Sequence, residues 1–302
     1  MSSRKLKPLT FTQHMTVVGS RMILGALTGV IRMTQGATPE GWRTLRYGLH
    51  RDETLDHMEP PEGVEHLAPI VFFHGGGWMM GDTGTYSHDL LFLAEAGYPI
   101  FNVEYPKAPE HHHPGILRSI FQALIFIKGN FGADKVHLMG DSAGGNLAVM
   151  AALLADHPNY LAAVDSRVKR SKLPKILSVT SIYGVLDRQT CLNGTFPAGD
   201  TMLESYAGPG ALLEAVDDDH RITPMDLAFK KHPPCLLICG DADPLLASQA
   251  IYSARLKREG HEVTTAVYPG GLHGFFTFPE SGPKAACRKD ILAFLDGVTA
   301  KN

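Results

Sequence analysis

Short runs of strand-forming apolar residues alternate with segments of helical periodicity along most of the chain after residue 65. The strand-like runs lie at residues 69–73, 98–103, 135–139, 176–183, 235–239 and 262–268. Helical spacing of apolar positions occurs between and after them, at residues 115–130, 145–155, 246–259 and 284–297. This alternation predicts an α/β fold with a mostly parallel central sheet and helices on both faces. The nearly continuous apolar strands agree, because the strands of a parallel sheet are buried on both sides.

Three segments depart from this rhythm. Residues 10–35 have the pattern of a helix, residues 43–57 predict an early strand and hairpin, and residues 187–230 combine scattered Gly and Pro with an acidic patch at 217–219. We interpret the last segment as an insertion between two strands, where it would cover the ligand site at the carboxyl ends of the strands. The predicted division is N-terminal cap helices at 1–45, an α/β core at 46–186 and 231–302, and a cap insertion at 187–230.

The composition is that of a packed soluble domain. Of 302 residues, 44% are hydrophobic and 20% are charged, and the formal net charge is -3. The absence of a long basic run argues against a nucleic-acid partner. The four cysteines, at 191, 235, 239 and 287, form no CxxC pair and no disulfide framework. We therefore expect buried thiols in a reducing, cytoplasmic compartment and no structural metal site.

The N-terminal segment raises the question of a membrane. Arg4, Lys5 and Lys7 precede an apolar stretch at 15–33, which is also the order of charges in a signal peptide or an anchor. Arg21 interrupts that stretch, and its uninterrupted part is about half of the roughly 20 residues that a spanning helix needs. We expect a soluble amphipathic helix, which argues against membrane association and against a cleaved signal.

A candidate nucleophile lies where a strand turns sharply into a helix. The segment from Gly140 to Gly144 has the pattern GxSxG, with Ser142 at its centre, between the strand-like run 135–139 and the Ala- and Leu-rich helix at 145–155. Such a turn is strained and crowded, so the positions two before and two after the serine must be small. The turn also places the hydroxyl at the positive end of the following helix. Ser142 is therefore the predicted nucleophile.

A second glycine cluster supplies candidate backbone donors. The sequence HGGGW, at residues 74–78, directly follows the strand-like run 69–73. N–H groups that no side chain shields stabilise the oxyanion of a tetrahedral intermediate. We predict that Gly75 and Gly76 form this oxyanion hole together with Ala143, the residue after the serine. His74 is predicted to brace the loop rather than to act as a base.

The base and the acid are expected after the last two strands. His273 follows the run 262–268 in a glycine-flanked loop, and Asp241 and Asp243 both follow the run 235–239. A third carboxylate at a strand end, Asp187, is interpreted as a hinge residue of the cap. The histidine run 111–113 is interpreted as a solvated turn, because adjacent side chains rarely converge on one metal ion.

Together these motifs resemble those of the hormone-sensitive-lipase family of α/β-hydrolases. The matching segments are HGGGW at 74–78, GDSAGGNLA at 140–148, DPL at 243–245 and HGF at 273–275. The resemblance covers residues 65–300 and implies an α/β-hydrolase fold with a helical cap, ester hydrolysis, and Asp243 rather than Asp241 as the acid. The block at 103–114 departs from the family's usual DYRLAPE, with Glu104 for Asp and Pro106 for Arg. Those changes leave the predicted triad intact.

The predicted reaction is the hydrolysis of a small carboxylic ester without a cofactor or metal. Ser142 attacks the carbonyl, His273 takes its proton, and Asp243 orients the imidazole, which gives an acyl-enzyme that water hydrolyses. Trp78 and Tyr206 are the bulky residues expected near the pocket. Because each buried methylene adds at most about 0.8 kcal/mol until the space is filled, we expect short to medium acyl chains, roughly C2 to C8.

Three other functions remain open at this point. An amidase of the same chemistry, such as an arylformamide hydrolase, would use the same motifs. A membrane-associated lipase is kept open by the apolar N-terminal stretch. A non-catalytic receptor on this scaffold is disfavoured, because receptors that resemble this family lack the triad histidine and His273 is present. A homodimer is compatible with the sequence.

Overall fold

The computed structural model describes residues 9–208, 221–277 and 281–301. The acidic patch at 217–219 that was predicted to belong to the cap lies outside these residues, as do the first eight residues of the predicted N-terminal cap.

A single eight-stranded sheet forms the centre of the described chain, in the strand order β1-β2-β4-β3-β5-β6-β7-β8. The strands are β1 Arg43–Arg46, β2 Thr54–Met58, β3 Ile70–Phe73, β4 Ile100–Val103, β5 Lys135–Asp141, β6 Lys175–Ile182, β7 Cys235–Gly240 and β8 Val263–Tyr268. β1 and β2 pair antiparallel, β2 joins β4 antiparallel, and all later pairs are parallel. The prediction of an early hairpin followed by a mostly parallel sheet is confirmed.

Helices cover both faces of the sheet. They are α1 Phe11–Gln35, α2 Leu91–Glu95, α3 Gly115–Phe131, α4 Ala143–Ala155, α5 Pro158–Val164, α6 Arg188–Thr190, α7 Gly199–Ala207, α8 Leu246–Arg258 and α9 Gly282–Thr299. Buried residues of α3, α4 and α8 belong to one core cluster, and those of α2 and α9 belong to the other. Alternate residues of β3 divide between the two, with Val71 and Phe73 on one side and Ile70 and Phe72 on the other. The predicted α/β architecture is therefore confirmed.

Helix α1 differs from the other long helices because only Val17 and Ile31 are buried in it. By length and composition it is the one described helix that could cross a membrane. Its polar residues nevertheless attach it to the rest of the protein. Arg21 donates to the carbonyls of Met79 and Ala108, and Gln13 bonds to Glu204 of α7. Helix α1 thus lies against the loop after β3 and against α7.

Candidate active site

Ser142 occupies the sharp turn between β5 and α4. Its backbone has φ 51° and ψ -118°, a conformation that costs a non-glycine residue about 1–3 kcal/mol and persists only where the surroundings enforce it. The surroundings do so here, because the Ser142 N–H donates to the Ile182 carbonyl of β6 at 2.8 Å. The Ser142 carbonyl in turn accepts from Asn146 N–H at 3.1 Å, in the first turn of α4. These two hydrogen bonds hold the strained residue at the carboxyl end of β5.

The two glycines of the GxSxG pattern are required by close backbone contacts. A Cβ at Gly144 would overlap the carbonyl oxygen of Phe73 at the end of β3, and a Cβ at Gly140 would overlap the Gly144 carbonyl. These are backbone atoms that cannot move aside without displacing the sheet. The small residues at these positions therefore let the turn pack against β3, as the sequence predicted.

Three residues from distant parts of the chain meet at this turn. His273 Nε2 lies 3.0 Å from Ser142 Oγ, and His273 Nδ1 lies 2.9 Å from Asp243 Oδ2. Both distances are those of hydrogen bonds, and the order serine, histidine, carboxylate is that of a catalytic triad. The structure thus brings together all three of the residues predicted for catalysis. The tautomer that suits this arrangement has its proton on Nδ1, facing the carboxylate.

The carboxylate of Asp243 is fully buried and itself held in place. Its second oxygen, Oδ1, accepts the Leu245 N–H at 2.8 Å, so both oxygens have partners. Asp241 is exposed and accepts from Gly270 N–H at 2.7 Å, which braces the turn after β8. Asp187 caps α6 by accepting from Thr190 N–H at 3.1 Å. Of the three candidate carboxylates, Asp243 is the one in contact with His273.

The prediction that Gly75 donates to the oxyanion is wrong. Gly75 N–H does not point to the site as a free donor, because it donates to Asp141 Oδ1 at 2.7 Å and lies 3.1 Å from the Tyr86 hydroxyl. Among the described residues, the N–H groups of Gly76, Gly77 and Ala143 have no such partner. Gly76 and Gly77 line the cavity in front of Ser142. Their φ angles of 114° and 58° explain why glycine is needed there.

Asp141, immediately before the nucleophile, was missed by the sequence analysis. Its buried carboxylate accepts from Gly75 N–H through Oδ1 and from the Tyr86 hydroxyl through Oδ2, at 3.1 Å. Burial raises the pKa of Asp141 to about 6, although these hydrogen bonds act in the opposite direction. The carboxylate ties the oxyanion loop to the nucleophile turn. The signal in the sequence was an acidic residue at the end of a buried strand, beside the serine.

His74 is placed as predicted, away from the reacting serine. It is completely buried and stacks on Tyr105 with 4.4 Å between the ring centroids. Its Nε2 lies 3.2 Å from Glu104, which also pairs with Lys107. Burial lowers the pKa of His74, and the nearby Lys107 acts in the same direction. Glu104, at the position that departs from the family pattern, therefore anchors the histidine that braces the loop.

An apolar cavity of about 360 Å³ opens in front of Ser142 and His273. On the side opposite the sheet, the cavity is lined by residues of α1, of the segment before α7 and of α7 itself. They include Leu24, Leu27, Ile31, Phe196 and Met202. Phe196 also contacts the His273 ring edge to face at 4.8 Å. The wall formed by α1 was not predicted residue by residue, since sequence periodicity does not say which face of a helix meets a cavity.

The prediction that Trp78 and Tyr206 line the pocket is wrong. Their rings stack on each other at 4.3 Å, and both are buried in the core instead of in the cavity wall. The reason is the loop's backbone, which has positive φ from Gly76 through Trp78 and turns the indole away from the oxyanion side. The stack joins the oxyanion loop to α7.

No group of three or more His, Cys, Asp or Glu side chains that could hold a metal ion occurs among the described residues. The cysteines at 191, 235, 239 and 287 are buried free thiols.

The comparison with known families now decides the assignment. The sequence profile of the alpha/beta hydrolase fold family matches residues 70–277, more than half of the chain. The chain belongs to this family. The matched α/β-hydrolase region spans the oxyanion loop, the nucleophile turn and His273, and the resemblance to the hormone-sensitive-lipase family is confirmed.

Relatives and solved structures agree with this membership. Carboxylesterase NlhH of Mycobacterium tuberculosis is 29% identical over 272 residues, which cover 81% of this chain and 77% of the relative. Lipase 2 of a Moraxella species is 28% identical over 245 residues, covering 69% of this chain and 54% of the relative. Esterase B of Lactobacillus rhamnosis has the same fold, with a TM-score of 0.82, 21% identity and 96% coverage of both chains.

Proposed function

We propose that the protein is a serine hydrolase that cleaves carboxylic esters of short to medium acyl chains, with Ser142, His273 and Asp243 as its catalytic triad. The observation that carries the proposal is the hydrogen-bonded series from Ser142 through His273 to Asp243, which opens onto an apolar cavity. Support for an ester substrate comes from the relatives, which are named carboxylesterase and esterase. The protein is a carboxylic ester hydrolase.

The geometry supports a two-step reaction. Ser142 Oγ attacks the ester carbonyl carbon while His273 Nε2 takes the hydroxyl proton, and Asp243 stabilises the resulting imidazolium. The N–H groups of Gly76, Gly77 and Ala143 donate to the oxyanion. His273 then gives the proton to the leaving alkoxide, which departs as the alcohol. A water molecule, deprotonated by His273, attacks the acyl-enzyme and releases the acid.

The cover over the site is proposed to consist of α1 and the segment around α7, within the N-terminal and inserted parts at 1–45 and 187–230. Both line the cavity and bond to each other through Gln13 and Glu204. Since about 360 Å³ is near the lower end of the range for small-molecule pockets, about 300–1,000 Å³, the acyl chain should be short to medium. A cytoplasmic location stays our proposal, supported by the four free thiols.

The experiment is a series of p-nitrophenyl esters from acetate to palmitate. We expect kcat/KM to peak between about C2 and C8 and to fall for C12 and longer, because a longer chain must distort the cavity walls at about 1–3 kcal/mol. Met202→Ala should shift the preference to longer chains. The same change at Met225, which does not line the cavity, should leave it unchanged.

Two outcomes would contradict the proposal. Maximal activity on palmitate, with activation at an oil–water interface, would make the protein a true lipase. An anilide cleaved faster than the matched phenyl ester would make it an amidase.

A further inference from the structure

The outward side of helix α1 is an apolar surface that the rest of the described chain leaves uncovered. Exposed apolar residues follow one another at spacings of three and four from Phe11 to Met22, and Met33 lies about three turns further along the same side. We call this set the outer stripe of α1: Phe11, Met15, Val18, Met22 and Met33. Phe11, Met22 and Met33 are 81%, 71% and 85% exposed. Contiguous apolar surface of this kind marks an interaction site more often than isolated exposed residues do.

The N-terminal segment that contains this stripe carries charge of one sign in the sequence. Residues 1–39 contain five basic residues and no Asp or Glu, so they carry a formal charge of +5. Because the whole chain carries -3, the remaining residues carry -8. Arg21 and Arg32 pair with Glu110 and Asp82, but Arg4, Lys5 and Lys7 immediately precede the helix in the sequence. An exposed apolar helix face that follows basic residues in the sequence is a combination that binds anionic lipid surfaces.

We propose that the outer stripe of α1 docks the enzyme on an anionic lipid surface, with the helix lying in the plane of the interface. This proposal replaces the expectation from the sequence that the helix does not associate with a membrane. A second copy of this chain is a poorer occupant, because its N-terminal segment would bring the same excess of positive charge. A spanning helix is disfavoured by Arg21, which lies in the middle of α1 and bonds to Met79, Ala108 and Glu110 of the protein body. Those bonds hold one side of the helix against the protein and leave the other side for lipid.

The cavity in front of Ser142 lies close to the outer stripe of α1. Ile23 and Leu27 line the cavity in front of Ser142, yet they are 73% and 39% exposed. The cavity therefore opens beside the outer stripe. If the proposed esterase function holds, an ester dissolved in the surface layer of a membrane reaches Ser142 by passing along α1. The docking itself does not depend on that reaction.

The test is vesicle co-sedimentation of the full chain carrying Ser142→Ala, so that no lipid is consumed. We expect binding to phosphatidylcholine vesicles that contain about one third phosphatidylglycerol, and binding at least about tenfold weaker to phosphatidylcholine alone. The substitutions Met15→Gln, Met22→Gln and Met33→Gln together should reduce binding by about tenfold or more. As a matched control, Leu49→Gln, Ile251→Gln and Val267→Gln remove exposed apolar residues elsewhere and should leave binding unchanged.

Hydrolysis of a dissolved ester by the triple methionine variant in an otherwise wild-type chain serves as the check on folding. We expect it to stay within about twofold of the wild type, because the outer stripe does not line the cavity. No vesicle binding by the starting protein, or equal binding by the methionine variant, would overturn the proposal. The proposal would also be overturned if the protein bound no vesicles but formed a dimer that the methionine substitutions dissociate. A second copy of the chain would then be the occupant of the outer stripe. Protein that stays with the lipid after an alkaline wash would instead show a spanning helix.

Discussion

The nucleophile turn and helix α1 line the same cavity, but different forces hold them. The turn lies among buried strands, where the Ser142 N–H bonds to Ile182 of β6 and Gly144 is in close contact with the backbone at the end of β3. Helix α1 is mostly exposed and is attached to the body largely by side-chain bonds from Arg21, Arg32 and Gln13. The difference indicates that the reacting groups lie on the rigid turn, where their distances are fixed, and that the outer wall of the cavity is formed by a less firmly held helix.

This comparison predicts how the two regions respond to substitution. Removal of the Ser142 side chain at the turn should abolish catalysis while leaving the fold intact, because the triad residues act as a unit. Changes at the α1 residues that line the cavity, such as Leu24 and Leu27, should alter substrate binding, since these side chains form the cavity wall.

The largest effect is expected for Ser142→Ala. Ester turnover should fall by several orders of magnitude, approaching the roughly 10⁶-fold losses known for serine hydrolases, with an unchanged melting temperature. Labelling of the wild type by an organophosphonate, followed by peptide mass spectrometry, should identify Ser142. Ser119→Ala, which alters another buried serine that bonds to Glu53, is the control and should stay active. Full activity of the Ser142→Ala enzyme would contradict the whole mechanism.

A smaller but still large effect is expected for Asp141→Ala. Without its carboxylate the oxyanion loop loses its tie to the turn, and a displacement of about 1 Å costs about 10²-fold in rate. The loss should appear in kcat, with KM nearly unchanged. Asp141→Asn keeps an oxygen that can accept from Gly75 N–H, so it should recover most of the activity. If KM rises and kcat stays constant, Asp141 does not position the loop.

The smallest effect is expected for Arg21→Gln in the cover. Since Arg21 joins α1 to Met79, Ala108 and Glu110, its loss should loosen one cavity wall and raise KM about threefold to tenfold with kcat nearly unchanged. The free energy of unfolding should change by about 1 kcal/mol or less, because the ion pair is partly exposed. Arg51→Gln, at a more exposed arginine outside α1, should change neither quantity. A kcat loss as large as that of Asp141→Ala would mean that the cover takes part in the chemistry.

The sequence predicted those site residues that directly follow a strand in the chain. GxSxG between a strand and a helix, together with a histidine after the last strand, identified Ser142 and His273, and these now lie 3.0 Å apart. The prediction failed at Gly75 and Trp78, where the direction of an N–H group or a side chain decides the role. The Gly75 N–H is held by its bond to Asp141, which is 66 residues away in the chain. The Trp78 ring is directed by the positive φ angles at 76–78, which the letters GGW do not disclose.

The sequence by itself determined the order of strands and helices, the sharp turn at Ser142 and the identity of the residues available for catalysis. These depend on local periodicity and on small residues at crowded positions, which are properties of short segments. Only the tertiary structure decided that Asp141 holds Gly75, that α1 walls the cavity with Leu24 and Leu27, and that Trp78 packs against Tyr206. Each of these joins segments far apart in the chain, and such contacts arise from how whole elements pack rather than from the pattern within any one of them.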